Sequence, residues 1–341
     1  MKQKKVTFAD IAAYTGFSKT TISRYFNNPD SLTLENQEKI AHALDVLGYQ
    51  ENKLAKVLAN GKSEFVGIII PNLYLHYYSE MLNQLLSTYE KYNYKFLVFI
   101  GNNKKEIEEK YIHELMAYKI EGLIVLSNTI SSEELASYKL PVVTIERECD
   151  HVCSVSTDNY LGGVQATSLL IRNKCDVILH INSIFPDTLP TYGRIRGFED
   201  ICNEHHVVHE LIQRNLGNTY QETLTQLKNI FNEIEEKYPS QKKGVFLAND
   251  TYASMFLNLI FQKYGKLPKD YQIVGFDDSP IASEAILPIT TVGQQIEKIA
   301  QTAMELLVLQ MNEMKKRKPA PLKETVHKQI TPVLIRRDTT E

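Results

Sequence analysis

Between Ser18 and Arg24 the chain concentrates side chains that hydrogen-bond to base edges and phosphates: Lys19, Thr20, Thr21, Ser23 and Arg24. Lysine and arginine donate to guanine or to phosphate oxygens, and the hydroxyls of serine and threonine serve either target. Such chemistry needs a rigid element that holds the groups on one side. On a helix, Lys19, Thr20 and Ser23 share a face with Arg24 beside it, while Ile22 and Phe26, four apart, take the inward face. Ser18 opens that helix by capping the N–H of Thr20 or Thr21. Upstream, Thr7 and Asp10 have the form of a capping box, with Ile11, Ala12 and Tyr14 as the apolar face behind it. Gly16 suits a left-handed turn between the two helices, and Phe17 enters the core. A third helix, Leu34 to Leu47, is opened by Thr33, directs Ile40, Ala43, Leu44 and Leu47 inward, and stops at Gly48. An amphipathic helix pair also occurs in ordinary bundles, but this third helix and the polar opening of the second favour a helix-turn-helix that meets base edges in a major groove.

Two other constellations could carry chemistry. Asp277-Asp278 with Arg194 has the makings of an acid/base pair and an oxyanion donor, yet no nucleophile elbow, phosphate loop or His-Glu-x-x-His pattern accompanies it. Catalysis is therefore not expected. Cys202-x-x-His205-His206-x-x-His209 offers metal ligands, but the spacing fits no standard zinc pattern and follows a helix end, where histidines are usually solvated. No metal and no cofactor are expected. Cys149, Cys153, Cys175 and Cys202 show no paired spacing and read as free thiols.

The remaining chain supplies the body that carries this head. Its 341 residues, 43% hydrophobic and 23% charged, exceed one typical domain. The net charge of −3 divides into +3 over residues 1–62 and −6 over the rest, so a basic head sits on an acidic body, which suits phosphate binding at one end. Met1-Lys-Gln-Lys-Lys is not followed by an apolar stretch of signal-peptide length, and the longest apolar run, Phe65 to Ile70, stops at Pro71. A cytoplasmic location without membrane contact is expected. From Ser63 onward, Phe65–Ile70, Phe96–Ile100, Gly122–Leu126, Val142–Ile145, Val177–Ile181, Gly244–Leu247 and Ile273–Phe276 alternate with amphipathic helical stretches. That alternation predicts parallel sheets with helical crossovers, and a break near Asp158-Asn-Tyr-Leu-Gly-Gly163 separates two doubly wound lobes. Lys315-Lys-Arg-Lys-Pro-Ala-Pro321 reads as a solvated basic linker before a last strand.

Thr7-Phe-Ala-Asp-Ile-Ala, Gly16-Phe-Ser-Lys-Thr-Thr-Ile-Ser-Arg24, Gly48-Tyr49, Asn52-Lys-Leu-Ala-Lys-Val-Leu58, Val66-Gly-Ile-Ile-Ile-Pro71, Val155-Ser-Thr-Asp-Asn159, Ala248-Asn-Asp250, Val274-Gly-Phe-Asp-Asp278 and Arg337-Asp-Thr339 occur in one order along nearly the whole chain. In this order and spacing the sequence resembles the lactose-repressor (LacI/GalR) family of bacterial transcription regulators. The resemblance implies an all-α helix-turn-helix headpiece over residues 1–50, a hinge helix and linker over 51–62, and a core over 63–341 that looks like periplasmic binding proteins. Its first lobe would span about 63–160 and 290–321, and its second about 161–289 and 322–341. It implies DNA contacts from Thr7, Ser18, Lys19, Thr20, Thr21, Ser23, Arg24 and Asn27, and from the hinge residues Asn52, Ala55, Lys56 and Leu58, with Leu58 as a minor-groove wedge.

The same resemblance implies an effector site in a cleft at the carboxyl ends of the strands. Asp158, Arg194, Asn249 and Asp277 match the family's effector contacts, Tyr77, Tyr78, Tyr192 and Phe276 offer faces to a sugar ring, and Gln294 completes the set. The expected function is a repressor of a carbohydrate-utilisation operon. It would bind palindromic operator DNA as a homodimer under allosteric control by a sugar or sugar derivative, with a phosphorylated carrier protein as a further partner in some relatives. A purine or sugar acid as effector, and a sugar-binding module without DNA regulation, are the alternatives. This chain departs from the family where Leu75-His76 replaces a common Asn-Pro, where Glu51 replaces the proline before the hinge Asn, and where Lys56 replaces a hinge Arg.

Overall fold

Thr7 and Asp10 fold the first turn of the chain onto itself: the N–H and hydroxyl of Thr7 donate to the Asp10 carboxylate at 2.8 and 2.7 Å. Helix α1 (Phe8–Thr15) follows and ends on Gly16, whose φ of 76° is the left-handed conformation that glycine adopts without strain. Ser18 accepts from the N–H of Thr21 at 3.1 Å and so caps α2 (Lys19–Asn27). Thr33 caps α3 (Leu34–Leu47), which closes on Gly48. Ile11, Ile22, Ile40 and Ala43 are wholly buried where the three helices meet, ringed by Phe8, Phe17, Phe26, Leu44, Leu47 and Tyr49. Tyr14, expected in this core, is instead 51% exposed. Thr15, four residues after Ile11, takes the inward position and satisfies its hydroxyl on the Ile11 carbonyl at 2.8 Å.

This computed structural model describes residues 6–50, 63–147, 150–316 and 325–341, which divide into two compact units, Met1–Lys62 and Ser63–Glu341. The expected hinge contacts Asn52, Ala55, Lys56 and Leu58, the thiol Cys149 and residues 317–321 of the basic stretch lie outside the described residues. Cys175 and Cys202 are free thiols, and they and Cys153 are buried. Lys315, read as part of a solvated linker, instead pairs with Glu121 and donates to the Tyr94 hydroxyl.

Within the second unit the chain builds two six-stranded sheets. The first contains β1 (Phe65–Ile70), β2 (Lys95–Ile100), β3 (Gly122–Val125), β4 (Val142–Ile145), β5 (Cys153–Thr157) and β11 (His327–Ile330), in the order β11-β5-β4-β3-β1-β2, all parallel. The second contains β6 (Val177–Ser183), β7 (His209–Arg214), β8 (Lys243–Leu247), β9 (Tyr271–Asp277), β10 (Thr290–Gly293) and β12 (Val333–Ile335), in the order β12-β10-β9-β8-β6-β7, with β12 alone antiparallel. Helices cover both faces of each sheet, which is why the central strands are near-continuous Val/Ile runs. Among the described residues no helix is long and apolar enough to cross a membrane.

The chain passes between lobes at Asp158, at Gln294–Gln295 and at Thr331–Pro332. The first passage lies where expected, but the other two fall later than 290 and 322. β10 stays with the second sheet, paired to β9, and β11 returns to the first sheet beside β5 before the chain crosses again. The sequence His327-Lys-Gln-Ile330 hides this edge strand, because three of its four side chains face solvent.

One contact fixes the geometry at the first crossing. The helices Asn159–Arg172 and Gly193–Glu204 pack backbone to backbone: a Cβ on Gly163 would stand 2.3 Å from the Arg194 carbonyl oxygen, and one on Gly197 2.4 Å from that of Tyr160. Only glycine permits this approach, and it sets Arg194 against Asn159.

Candidate functional site

In the headpiece, Thr7, Ser18, Lys19, Thr20, Arg24 and Asn27 are exposed, and Thr21 and Ser23 partly so. Several of these groups are engaged within the helix. The Ser18 and Thr21 hydroxyls lie 2.9 Å apart, and the Asn27 amide donates to the Ser23 carbonyl at 3.0 Å. Lys19, Thr20 and Arg24 remain as the side chains best placed to reach a duplex from the opening of α2, with Ile22 buried directly behind them.

In the core, a cavity opens between the lobes at the carboxyl ends of the strands. Leu75, Tyr77, Tyr78, Leu126, Asn128 and Glu146 line it from the first lobe; Thr191, Arg194, Asn249, Asp277 and Gln294 line it from the second lobe and its crossing. Its polar floor closes on itself as a ring. Glu146 accepts from the Thr157 N–H at 2.6 Å and from the Asn159 amide at 2.9 Å. The Asn159 carbonyl oxygen accepts from Arg194 Nε at 2.8 Å, and Arg194 Nη1 lies 4.0 Å from Asp277. Asp277 accepts from the Gln294 amide, and Gln294 accepts from the Thr157 hydroxyl at 2.6 Å. Residues 157–159 and 294 belong to two of the three crossings, so the ring ties the cavity to the strands that join the lobes.

Arg194 is held from every side. Its Nη1 donates to the Ala248 carbonyl at 2.6 Å and its guanidinium lies 3.7 Å above the Phe276 ring. Tyr77 and Tyr78 meet edge to face at 5.3 Å, and the buried Tyr77 hydroxyl has no hydrogen-bond partner among the described residues. A buried donor of this kind is costly unless something binds it. Burial, with Glu146 and Asp277 nearby, pushes the Tyr77 phenol well up. Burial also pushes the Asp277 carboxyl well above the usual range, against the opposing pull of Arg194. Asp277 and Asp278 both have positive φ, 114° and 55°, a strained path for non-glycine residues that turns their side chains apart. Asp278 pairs with Arg337 at 2.6 Å, so the two carboxylates face different partners rather than forming an acid/base pair.

Three of the expected contacts stand elsewhere. Asp158 is the N-cap of the helix Asn159–Arg172, accepting from the Leu161 N–H at 3.0 Å, and does not line the cavity. Phe276 is wholly buried beneath Arg194 as its platform. Tyr192 lies beside Arg196 and Phe185, and its neighbour Thr191 lines the cavity instead. Asn249 both caps the helix Asp250–Tyr264, accepting from the Tyr252 N–H at 2.8 Å, and lines the cavity. Glu146, Asn128, Leu126 and Leu75 were not anticipated. Glu146 and Asn128 lie just past the apolar runs that became β4 and β3, the position where α/β sheets place ligand contacts. Around Cys202 and His205 to His209 the structure gathers no metal site: among the described residues no three His, Cys, Asp or Glu side chains converge to hold one.

Behind Asp277, Asp250 is wholly buried, accepts from the Thr291 hydroxyl at 2.5 Å and the Ser279 N–H at 2.8 Å, and is pushed by burial from 3.8 to about 7. A carboxyl whose folded value exceeds its unfolded one holds its proton in the fold, so its stabilising contribution is full below the unfolded value and fades as pH rises through the folded one. Raising pH from about 5 to about 7 is expected to cost roughly 2 kcal/mol, or about 5 °C in melting temperature, from this group. Thermal denaturation across that range should show the decline, made shallower in Asp250→Asn, with Asp277 still contributing in the same direction.

Known proteins agree with this arrangement. Residues 7–52 match the lacI family of bacterial regulatory proteins, and residues 168–340 match the periplasmic binding protein-like domain. The chain is 26% identical to the sucrose operon repressor of Streptococcus mutans, over 88% of this chain and 91% of that protein. It is 24% identical to the ribose operon repressor of Halalkalibacterium halodurans, over 98% and 97%. Its fold superposes on the Lac repressor dimer bound to operator and the anti-inducer ONPF with a TM-score of 0.80 at 21% identity, covering 99% of each chain. With a helix-turn-helix head and a two-lobed periplasmic-binding-protein-like core carried on one chain, this protein belongs to the LacI family of bacterial DNA-binding transcription regulators.

Proposed function

We propose that this regulator represses a carbohydrate-utilisation operon, binding palindromic operator DNA as a homodimer, and that a small sugar or sugar derivative seated between the core lobes controls that binding. The observation that carries the reading is the cavity itself. A buried tyrosine hydroxyl without a partner among the described residues lines a cavity with carboxylates, amides and a guanidinium, the donor and acceptor set that vicinal hydroxyls satisfy. Two relatives named for sucrose and ribose operons support the same ligand class. Occupancy would shift the balance between dimers that fit the operator and dimers that do not, and a ligand can do so only by binding the two forms unequally.

The test is operator binding by the full chain, followed by fluorescence anisotropy, with and without sugars that raise its melting temperature. A sugar that changes operator affinity, and loses that effect in Asn249→Ala, supports the proposal. Operator affinity indifferent to every sugar that binds would sink it. On the DNA side, Lys19→Ala is expected to change which operator bases are preferred by about tenfold, measured over single-base operator variants. A uniform loss with a shallower salt dependence would assign Lys19 to phosphate instead.

A further inference from the structure

The charge balance of the cavity narrows the ligand class, an inference that rests on the cleft being a sugar site. Among the described residues, Arg194 is the one cation lining the cavity, facing Glu146 and Asp277, with Asp250 buried behind Asp277. That cation is committed: Arg194 binds Asn159 and the Ala248 carbonyl, stacks on Phe276, and stands 4.0 Å from Asp277. The remaining polar lining consists of neutral groups: the hydroxyls of Tyr77, Tyr78 and Thr191, and the amides of Asn128, Asn249 and Gln294. The helices His76–Ser87 and Gly193–Glu204 begin at the cavity, and their N-termini would favour an anion. Each carries only about half a charge, however, and the first N–H of the helix His76–Ser87 already donates to the Thr251 hydroxyl at 3.0 Å. Raised protonation of Asp277 removes some of the negative charge, but it adds no cation.

We propose that the effector is an uncharged polyhydroxylated molecule, a free sugar, and that this cleft rejects sugar phosphates and sugar acids. Bringing a phosphate or carboxylate into a desolvated site sets it against the Glu146 carboxylate, without a free guanidinium or ammonium to offset the like charges. A neutral sugar meets the same groups as hydrogen-bond partners, its hydroxyls donating to Glu146 and Asp277 and accepting from Tyr77 and the amides.

The experiment is calorimetric titration of the full-length protein with matched probes: glucose, glucose 6-phosphate and gluconate; ribose and ribose 5-phosphate; fructose and fructose 6-phosphate; sucrose and sucrose 6-phosphate. At least one neutral probe is expected to bind, with its charged counterparts at least about 100-fold weaker. Glu146→Gln is expected to narrow that gap about tenfold, and Glu146→Ala provides the same measurement should the first variant fail to fold. A phosphate or acid that binds as tightly as its neutral parent overturns the charge argument and leaves the cleft a sugar site. A gap unchanged in both variants overturns its electrostatic cause. Binding by none of the probes, neutral or charged, overturns the sugar reading and this inference with it.

Discussion

Arg194→Ala is expected to lower the stability of the core by about 3 kcal/mol and to abolish its response to any cleft ligand. The substitution leaves the Asn159 side-chain carbonyl and the Ala248 carbonyl without their donor, uncovers the Phe276 ring, and removes the positive charge that opposes the desolvation of Asp277. Because Arg194 is 7% exposed, water cannot easily replace what is lost. Urea denaturation measures the first effect and ligand titration the second. Arg194→Lys separates charge from shape: it keeps the cation but neither the planar fork nor the stacking, so it should recover part of the stability and little of the binding. A ligand response intact in Arg194→Ala would remove the polar ring from the binding site.

Ile22→Ala is expected to cost the headpiece about 3 kcal/mol, most of what a domain of this size possesses. The wholly buried set there is Ile11, Ile22, Ile40 and Ala43, and Ile22 joins the second helix to the other two. Operator binding should fall by at least about 100-fold, while the sugar-induced rise in melting temperature persists, since the core is a separate compact unit. Lys19→Ala is the matched control, because it removes a contact from the surface of the same helix without touching its core. Operator affinity unchanged in Ile22→Ala would show that the small core tolerates the cavity.

How much of this was legible in the sequence depended on what each residue had to satisfy. The headpiece was readable because caps and glycines are local: Thr7 and Asp10, Ser18 and Thr21, Gly16 and Gly48 act on neighbours a few positions away. The central strands were readable because burial on both faces forces unbroken apolar runs. β10, written Thr-Thr-Val-Gly, was not, nor was β5, written Cys-Ser-Val-Ser-Thr, although both are buried. The hydroxyls of β5 are satisfied by partners far along the chain, as where Ser154 meets His327 at 2.8 Å across to β11. β7 and β11 are edge strands whose mixed polarity resembles loop sequence. The same division holds in the cleft. Arg194, Asn249 and Asp277 were found through short motifs, whereas Glu146 matters through Thr157 and Asn159, to which no spacing in the sequence ties it. Asp158 could equally have been a ligand contact or a helix cap, and the free N–H groups of the helix behind it took it.

The glycine contact between the helices Asn159–Arg172 and Gly193–Glu204 has a mechanical meaning. Side chains packed against each other can absorb a push by changing rotamer, but two backbones in direct contact have no such slack. Arg194 and Asn159 therefore travel as parts of one stiff beam, with the cleft at one place along it and the first strand crossing at its root. Whatever displaces Arg194 therefore loads Asn159 as well, and Asn159 stands at the junction between the lobes.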